Sequence, residues 1–127
     1  MAKARPLKIK ISKEIGSVSA LLLLPKTAHS LLVLGHGAGA GMTHTFMENL
    51  SQQLAAHGVG TLRYNFPYME KGGAPDRPKK AYPTIEAAVQ KALRYSEGLT
   101  LLAGGKSFGG RMTSHVDALH GFQIAQG

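Results

Sequence analysis

An α/β fold built as three layers around a mostly parallel sheet is predicted from three observations. Short apolar runs alternate with amphipathic stretches in the order β-β-β-α-β-α-β-α, which calls for parallel strands joined by right-handed helical crossovers. Leu31-Leu32-Val33-Leu34 is apolar on both faces, as in a strand covered by helices on either side. Gly105-Lys106-Ser107-Phe108-Gly109 stands between an apolar run and a helical pattern, the sequence form of a serine presented on a sharp strand-to-helix turn.

Each element follows from its own pattern. Leu7-Lys8-Ile9-Lys10-Ile11 alternates with period two, giving a strand with one buried and one wet face. Val18 to Leu24 is a second strand, ended by Pro25 and joined to the first by a hairpin turn at Gly16. Ser30 to Gly35 is the third strand. Thr45 to His57 places Phe46, Leu50 and Leu54 at helical spacing and closes on Gly58 as a C-terminal glycine. Val59 to Tyr64 is the fourth strand. Asn65 to Lys80, rich in Gly, Pro and charge, is expected to be one long irregular loop at the carboxyl edge of the sheet, with Tyr68 and Glu70 turned toward Ser107. The spacing of Ile85, Ala88, Val89, Ala92 and Leu93 predicts a helix over Thr84 to Glu97. Leu99 to Gly104 is the fifth strand, and Phe108 to Leu119 the last helix.

Composition bounds the reading. A chain of 127 residues that is 43% hydrophobic makes one globular domain, 1–127. Cysteine is absent, so disulfides and thiolate metal sites are excluded. The N-terminus alternates Lys with Ile and is no secretory signal, and the longest apolar stretch, Ala20 to Leu24, is too short to span a bilayer. A cytoplasmic location away from membranes is expected. The net charge of +8 comes largely from Lys3, Arg5, Lys8, Lys10 and Lys13 and from Lys71, Arg77, Lys79 and Lys80. No aromatic residues interleave with these charges and there is no Trp, which argues against nucleic-acid binding. Lysines on an edge strand discourage edge-to-edge aggregation instead.

The chemistry converges on two loops. A serine in the G-x-S-x-G turn sits in strained backbone geometry, while the flanking glycines let strand and helix approach without Cβ clashes. Its hydroxyl is then exposed above a helix N-terminus, where a developing oxyanion is stabilised. The glycine-rich His36-Gly37-Ala38-Gly39-Ala40-Gly41 follows the third strand, where one oxyanion-hole N–H is expected. Gly37 lets the backbone approach a substrate oxygen, Ala38 supplies one donor, and Phe108, next to Ser107, supplies the other. Two phosphate-binding patterns fit less well. A P-loop would need glycine where Thr100 stands. A dinucleotide fold would need an acidic residue where Arg63-Tyr64-Asn65 stands, unless Arg63 took a 2′-phosphate.

Together these residues resemble the N-terminal part of a small α/β-hydrolase of the compact, lidless group related to dienelactone hydrolases. The resemblance rests on His36-Gly37-Ala38-Gly39, on Arg63-Tyr64-Asn65-Phe66-Pro67-Tyr68, and on Gly105-Lys106-Ser107-Phe108-Gly109-Gly110-Arg111-Met112. It implies a sheet of order 1-2-4-3-5 with the first strand antiparallel, Ser107 as nucleophile, and oxyanion donors from Ala38 and Phe108. It also implies later strands that carry an acid and a histidine. Only twenty residues follow Ser107, so the fold is expected to be truncated after the elbow.

No residue of the chain replaces the missing acid and base. Asp117 and His120 lie some ten or more residues along the last helix, ~15 Å from its start at about 1.5 Å per residue, whereas a base must come within about 3 Å. Lys106 should point away from Ser107 along an extended backbone. His36 is expected to be a structural hydrogen-bonder, although it is the first candidate if a base exists. His29, His36, His44 and His57 fall on different elements, so no metal is expected, and acyl transfer needs no cofactor. The expected activity is a serine hydrolase cleaving an ester or other acyl bond of a small substrate, impaired in this short form. The rival is a non-catalytic module that kept the fold. The fifth strand is expected to be an exposed edge with part of its sheet face uncovered, leading to self-association, pairing with another chain, or marginal stability.

Overall fold

A computed structural model describes residues 3–120. β1 (Arg5–Ser12) and β2 (Gly16–Leu23) form a hairpin, paired from Arg5↔Leu22 to Ser12↔Gly16 with a bulge between Lys10 and Ser12. Gly16 closes it at φ 92°, a conformation in which a Cβ would be strained. β3 (Ser30–Gly35), α1 (Thr45–Ala56), β4 (Val59–Tyr64), α2 (Pro67–Lys71), α3 (Pro78–Leu93), β5 (Thr100–Gly105) and α4 (Phe108–His120) follow.

The sheet order is β1-β2-β4-β3-β5, as the resemblance implies. β3 lies parallel to both β4 and β5. β1 pairs antiparallel with β2, as expected. β2 also pairs antiparallel with β4, so the strand that runs against all the others is β2. One face carries the main core: Ile9, Val18, Leu31, Val33, Leu62 and Tyr64 pack with Ile85, Ala88 and Val89 of α3 and Met112 and Val116 of α4. On the other face α1 packs against β4, with Met47 and Ser51 buried. No helix among the described residues is long and apolar enough to cross a membrane.

Two segments differ from the sequence pattern. The segment read as one loop contains α2, begun by Pro67 and held by Asp76, whose carboxylate accepts the Tyr68 N–H at 3.1 Å. α3 starts at Pro78, six residues before the expected Thr84, runs through Pro83, and ends at Leu93, four residues before the expected Glu97. Pro78 at the first helical position has a suitable φ and no N–H to strand. Pro83 removes one bond to the preceding turn, but the fully buried Ala81 extends the apolar stripe upstream of it.

Candidate functional site

Ser107 sits in the tight turn between β5 and α4 at φ 52°, the sole non-glycine with positive φ among the described residues. A Cβ on Gly105 would meet the Gly35 carbonyl oxygen at 2.6 Å, and one on Gly109 would meet the His36 oxygen at the same distance. Both obstacles are backbone and cannot give way. Glycine here is therefore dictated by the approach of β3 to the turn. Backbone bonds lock that approach: Lys106 N–H donates to Gly35 O (3.0 Å), and Gly109 N–H is shared between His36 O (3.0 Å) and Lys106 O (3.1 Å). Arg111 N–H donates to Ser107 O at 2.8 Å, so the helix begins directly beneath the serine. Phe108 is its first residue, and its N–H has no intrahelical acceptor.

Gly37, Ala38 and Ser107 line one open cleft of about 320 Å³, with Gly39, Phe46 and Lys106. A methyl built on Gly37 would lie 3.9 Å from the Ser107 Cβ, so the two loops are in contact distance of one another. Phe108 directs its buried ring behind the cleft, edge-on to Phe66 (5.1 Å between centroids) and Tyr68 (5.8 Å). The Gly37–Ala38 segment is held from behind. His36 is fully buried. Phe66 N–H donates to its Nε2 at 3.0 Å, which puts the ring proton on Nδ1, and Nδ1 lies 2.7 Å from Gly37 O as its donor. Burial lowers the His36 pKa, against smaller upward pulls from that Gly37 contact and from Asp76. The Tyr68 hydroxyl donates to Ala38 O at 2.9 Å, with Gly37 O at 3.4 Å.

Several sequence expectations change at this point. Both His36 nitrogens are engaged, so the ring is a brace for the loop. Tyr68 reaches the Gly37–Ala38 loop, donating to it from behind, but does not line the cleft. Glu70 does neither: its carboxylate accepts from Ser19 N–H (2.8 Å) and Asn65 Nδ2 (3.2 Å), over β2. Lys106 was expected to point away from Ser107, yet its side chain lines the same cleft with the ammonium 4.4 Å from the centre of the Phe46 ring. The extended alternation stops at the positive φ of Ser107, and the ring face attracts the cation. Arg63 cannot reach a ligand phosphate: it is fully buried, donating from Nη1 to Met42 O (3.0 Å) and pairing with Glu48 (2.9 Å). His44 caps α1 by accepting Phe46 N–H at 3.1 Å. His115 faces Tyr82, with its Nδ1 3.3 Å from the phenol oxygen. The His120 side chain lies outside the described residues. Among those described, no hydrogen bond reaches the Ser107 hydroxyl, and no group of three metal-ligating side chains forms.

Comparison with known proteins matches this architecture. The chain superimposes on a dienelactone hydrolase from Anabaena variabilis with a TM-score of 0.78 at 14% identity, covering 94% of this chain and 58% of that one. An alpha-beta serine hydrolase homologue from Coxiella burnetii gives 0.75 at 19% identity, with 94% and 59% covered. A serine hydrolase without lid from Xanthomonas campestris gives 0.70 at 17%, with 92% and 56% covered. The chain thus spans less than three fifths of these structures, and at such identities the likeness speaks for the fold. No curated protein matches by sequence. Family membership rests on the sequence itself, for residues 28–125 match the alpha/beta hydrolase domain. The chain belongs to the α/β hydrolase family.

Proposed function

We propose that the chain carries the acylation half of a serine hydrolase acting on an ester or other acyl bond of a small substrate. Ser107 Oγ attacks the substrate carbonyl carbon, the bond to the leaving oxygen or nitrogen breaks, and the serine proton ends on the departing alcohol or amine; water later hydrolyses the acyl–serine ester, returning the hydroxyl. The oxyanion is received by the Ala38 and Phe108 N–H groups. The observation that carries this reading is the orientation of the loop peptides. In a trans peptide the C=O and the following N–H point in opposite directions, and no cis peptide occurs among the described residues. The Gly37 carbonyl is drawn inward by His36 and the Ala38 carbonyl by Tyr68. The Ala38 and Gly39 N–H groups are thereby turned the other way, toward the cleft shared with Ser107. The similar structures are named a dienelactone hydrolase, a serine hydrolase homologue and a serine hydrolase, names consistent with serine-based hydrolysis.

No base holds the Ser107 hydroxyl among the described residues, so it stays protonated and weakly nucleophilic. A fluorophosphonate probe is expected to label Ser107 at least ~10³-fold more slowly than it labels a hydrolase with an intact triad. Labelling should vanish in Ser107→Ala. Rapid stoichiometric labelling would show a base within reach, and complete inertness would favour the second reading, a non-catalytic interaction module. That module requires Ser107→Ala to change nothing measurable.

A further inference from the structure

We propose that the groove between β1 and α3 docks an extended acidic segment of a partner protein, which adds to β1 as a further strand. The groove encloses about 540 Å³ and is lined by four consecutive residues, Lys8 to Ile11, and by Ala87, Gln90, Lys91 and Arg94. Consecutive strand residues point to opposite faces. A hollow that touches all four runs along the rim of the strand, where the backbone is. Among the described residues β1 has β2 on one side and no strand on the other, so that rim offers unpaired N–H and C=O groups at strand spacing. The opposite wall is one stripe of α3, since residues at i, i+3, i+4 and i+7 share a helix face.

Charge selects the occupant. Lys8, Lys10, Lys91 and Arg94 surround the groove, no carboxylate lines it, and none of the four joins an ion pair among the described residues. A second copy of this chain pairing through β1 would bring lysines against lysines, so the edge rejects itself while accepting an acidic strand. Nucleic acid fits less well. The groove has no aromatic platform for a base, and the nearby Tyr95 ring already carries the Arg5 guanidinium 5.7 Å from its centroid. A phosphate chain also has no use for a ladder of alternating donors and acceptors. A strand alternating acidic and β-branched residues uses what is present: backbone bonds to β1, carboxylates beside Lys8 and Lys10, and an apolar group beside the partly exposed Ile11. The site lies at the end of the sheet away from β5 and is independent of Ser107.

The test is fluorescence anisotropy of the full chain with a labelled octapeptide alternating Glu and Val. Saturable binding is expected, weakened about tenfold or more by Lys8→Glu with Lys10→Glu, and likewise by Lys91→Glu with Arg94→Glu. All four residues are at least partly exposed, and unchanged circular dichroism verifies that the variants fold. Amide exchange at residues 7–11 should slow on binding, while Ser107 labelling stays constant. A peptide N-methylated at alternate residues should fail to bind. Equal binding by the methylated peptide or by an oligonucleotide of equal charge would overturn strand addition in favour of charge alone. Indifference of the affinity to both double variants, or no saturable binding, would overturn the site.

Discussion

β1 carries Lys8 and Lys10 and lies against α3, whereas β5, at the other end of the same sheet, runs Thr100-Leu101-Leu102-Ala103-Gly104-Gly105 without a charge. Leu102 is 44% exposed, beside its register partner Leu32, which is itself only half-buried. Lysines make β1 a strand that tolerates water and repels its own kind. β5 has the composition of an interior strand, apolar on both faces, but among the described residues is paired on one side only. The difference separates an edge protected by its sequence from one protected by nothing but the turn that ends it.

That turn gives the largest expected effect. Gly109→Ala forces a Cβ within 2.6 Å of His36 O, where only backbone can move. We expect a loss of about 3 kcal/mol or more, read as a lowered urea midpoint, and a cost below about 1 kcal/mol would mean that β5 and α4 can separate from β3. The edges themselves come next. We expect the chain to self-associate through β5, and Leu102→Lys to weaken this at least tenfold, about 1.4 kcal/mol, in sedimentation velocity. Replacing Lys8 and Lys10 by Leu should give β1 the same tendency. A monodisperse monomer in every variant would erase the contrast between the edges.

A third effect, without a fixed size, comes from pH. His36 braces the β5 side of the sheet as a neutral ring, its pKa lowered by burial. Its unfolded form binds a proton more readily, so the native state keeps its full advantage above about pH 6.5 and loses it as pH falls through the lowered value. Protonation also removes the Nε2 acceptor of Phe66 N–H. The melting temperature should drop below that pH, and His36→Asn should flatten the drop. A melting temperature constant from pH 7 to pH 5 would show that the ring is not held neutral.

The fold was legible because its signals are local. The period of two in Leu7–Ile11, the apolar Leu31–Leu34 and the glycine spacing around Ser107 each fix one element, and the strand order follows from the family those motifs resemble. Of the candidate site, the sequence singles out Gly37, Ala38 and Ser107 by their small residues and spacing, and the structure brings these three to one cleft. The side-chain contacts of the site were not legible. Nothing in the sequence tells that the hydroxyl of Tyr68 reaches Ala38 across thirty positions, or that the Lys106 ammonium folds over Phe46. Such contacts depend on which loops the sheet brings together. The start of α3 was hidden for a related reason: the burial of Ala81, which carries the helix upstream of Thr84, is a tertiary fact.

The left-handed backbone at Ser107 has a consequence for the molecule's economy of sequence. A residue with a Cβ is disfavoured there by roughly 1–2 kcal/mol, and glycine alone escapes. Relief of that strain, less the roughly 0.4–1 kcal/mol of chain entropy a glycine adds to the unfolded state, should leave Ser107→Gly as stable as the chain or more so, in a protein where such a margin is a sizeable fraction of the whole. Any screen that rewards heat resistance alone will tend to remove the hydroxyl. Only a screen that also asks for reaction with an acyl compound gives a reason to keep it.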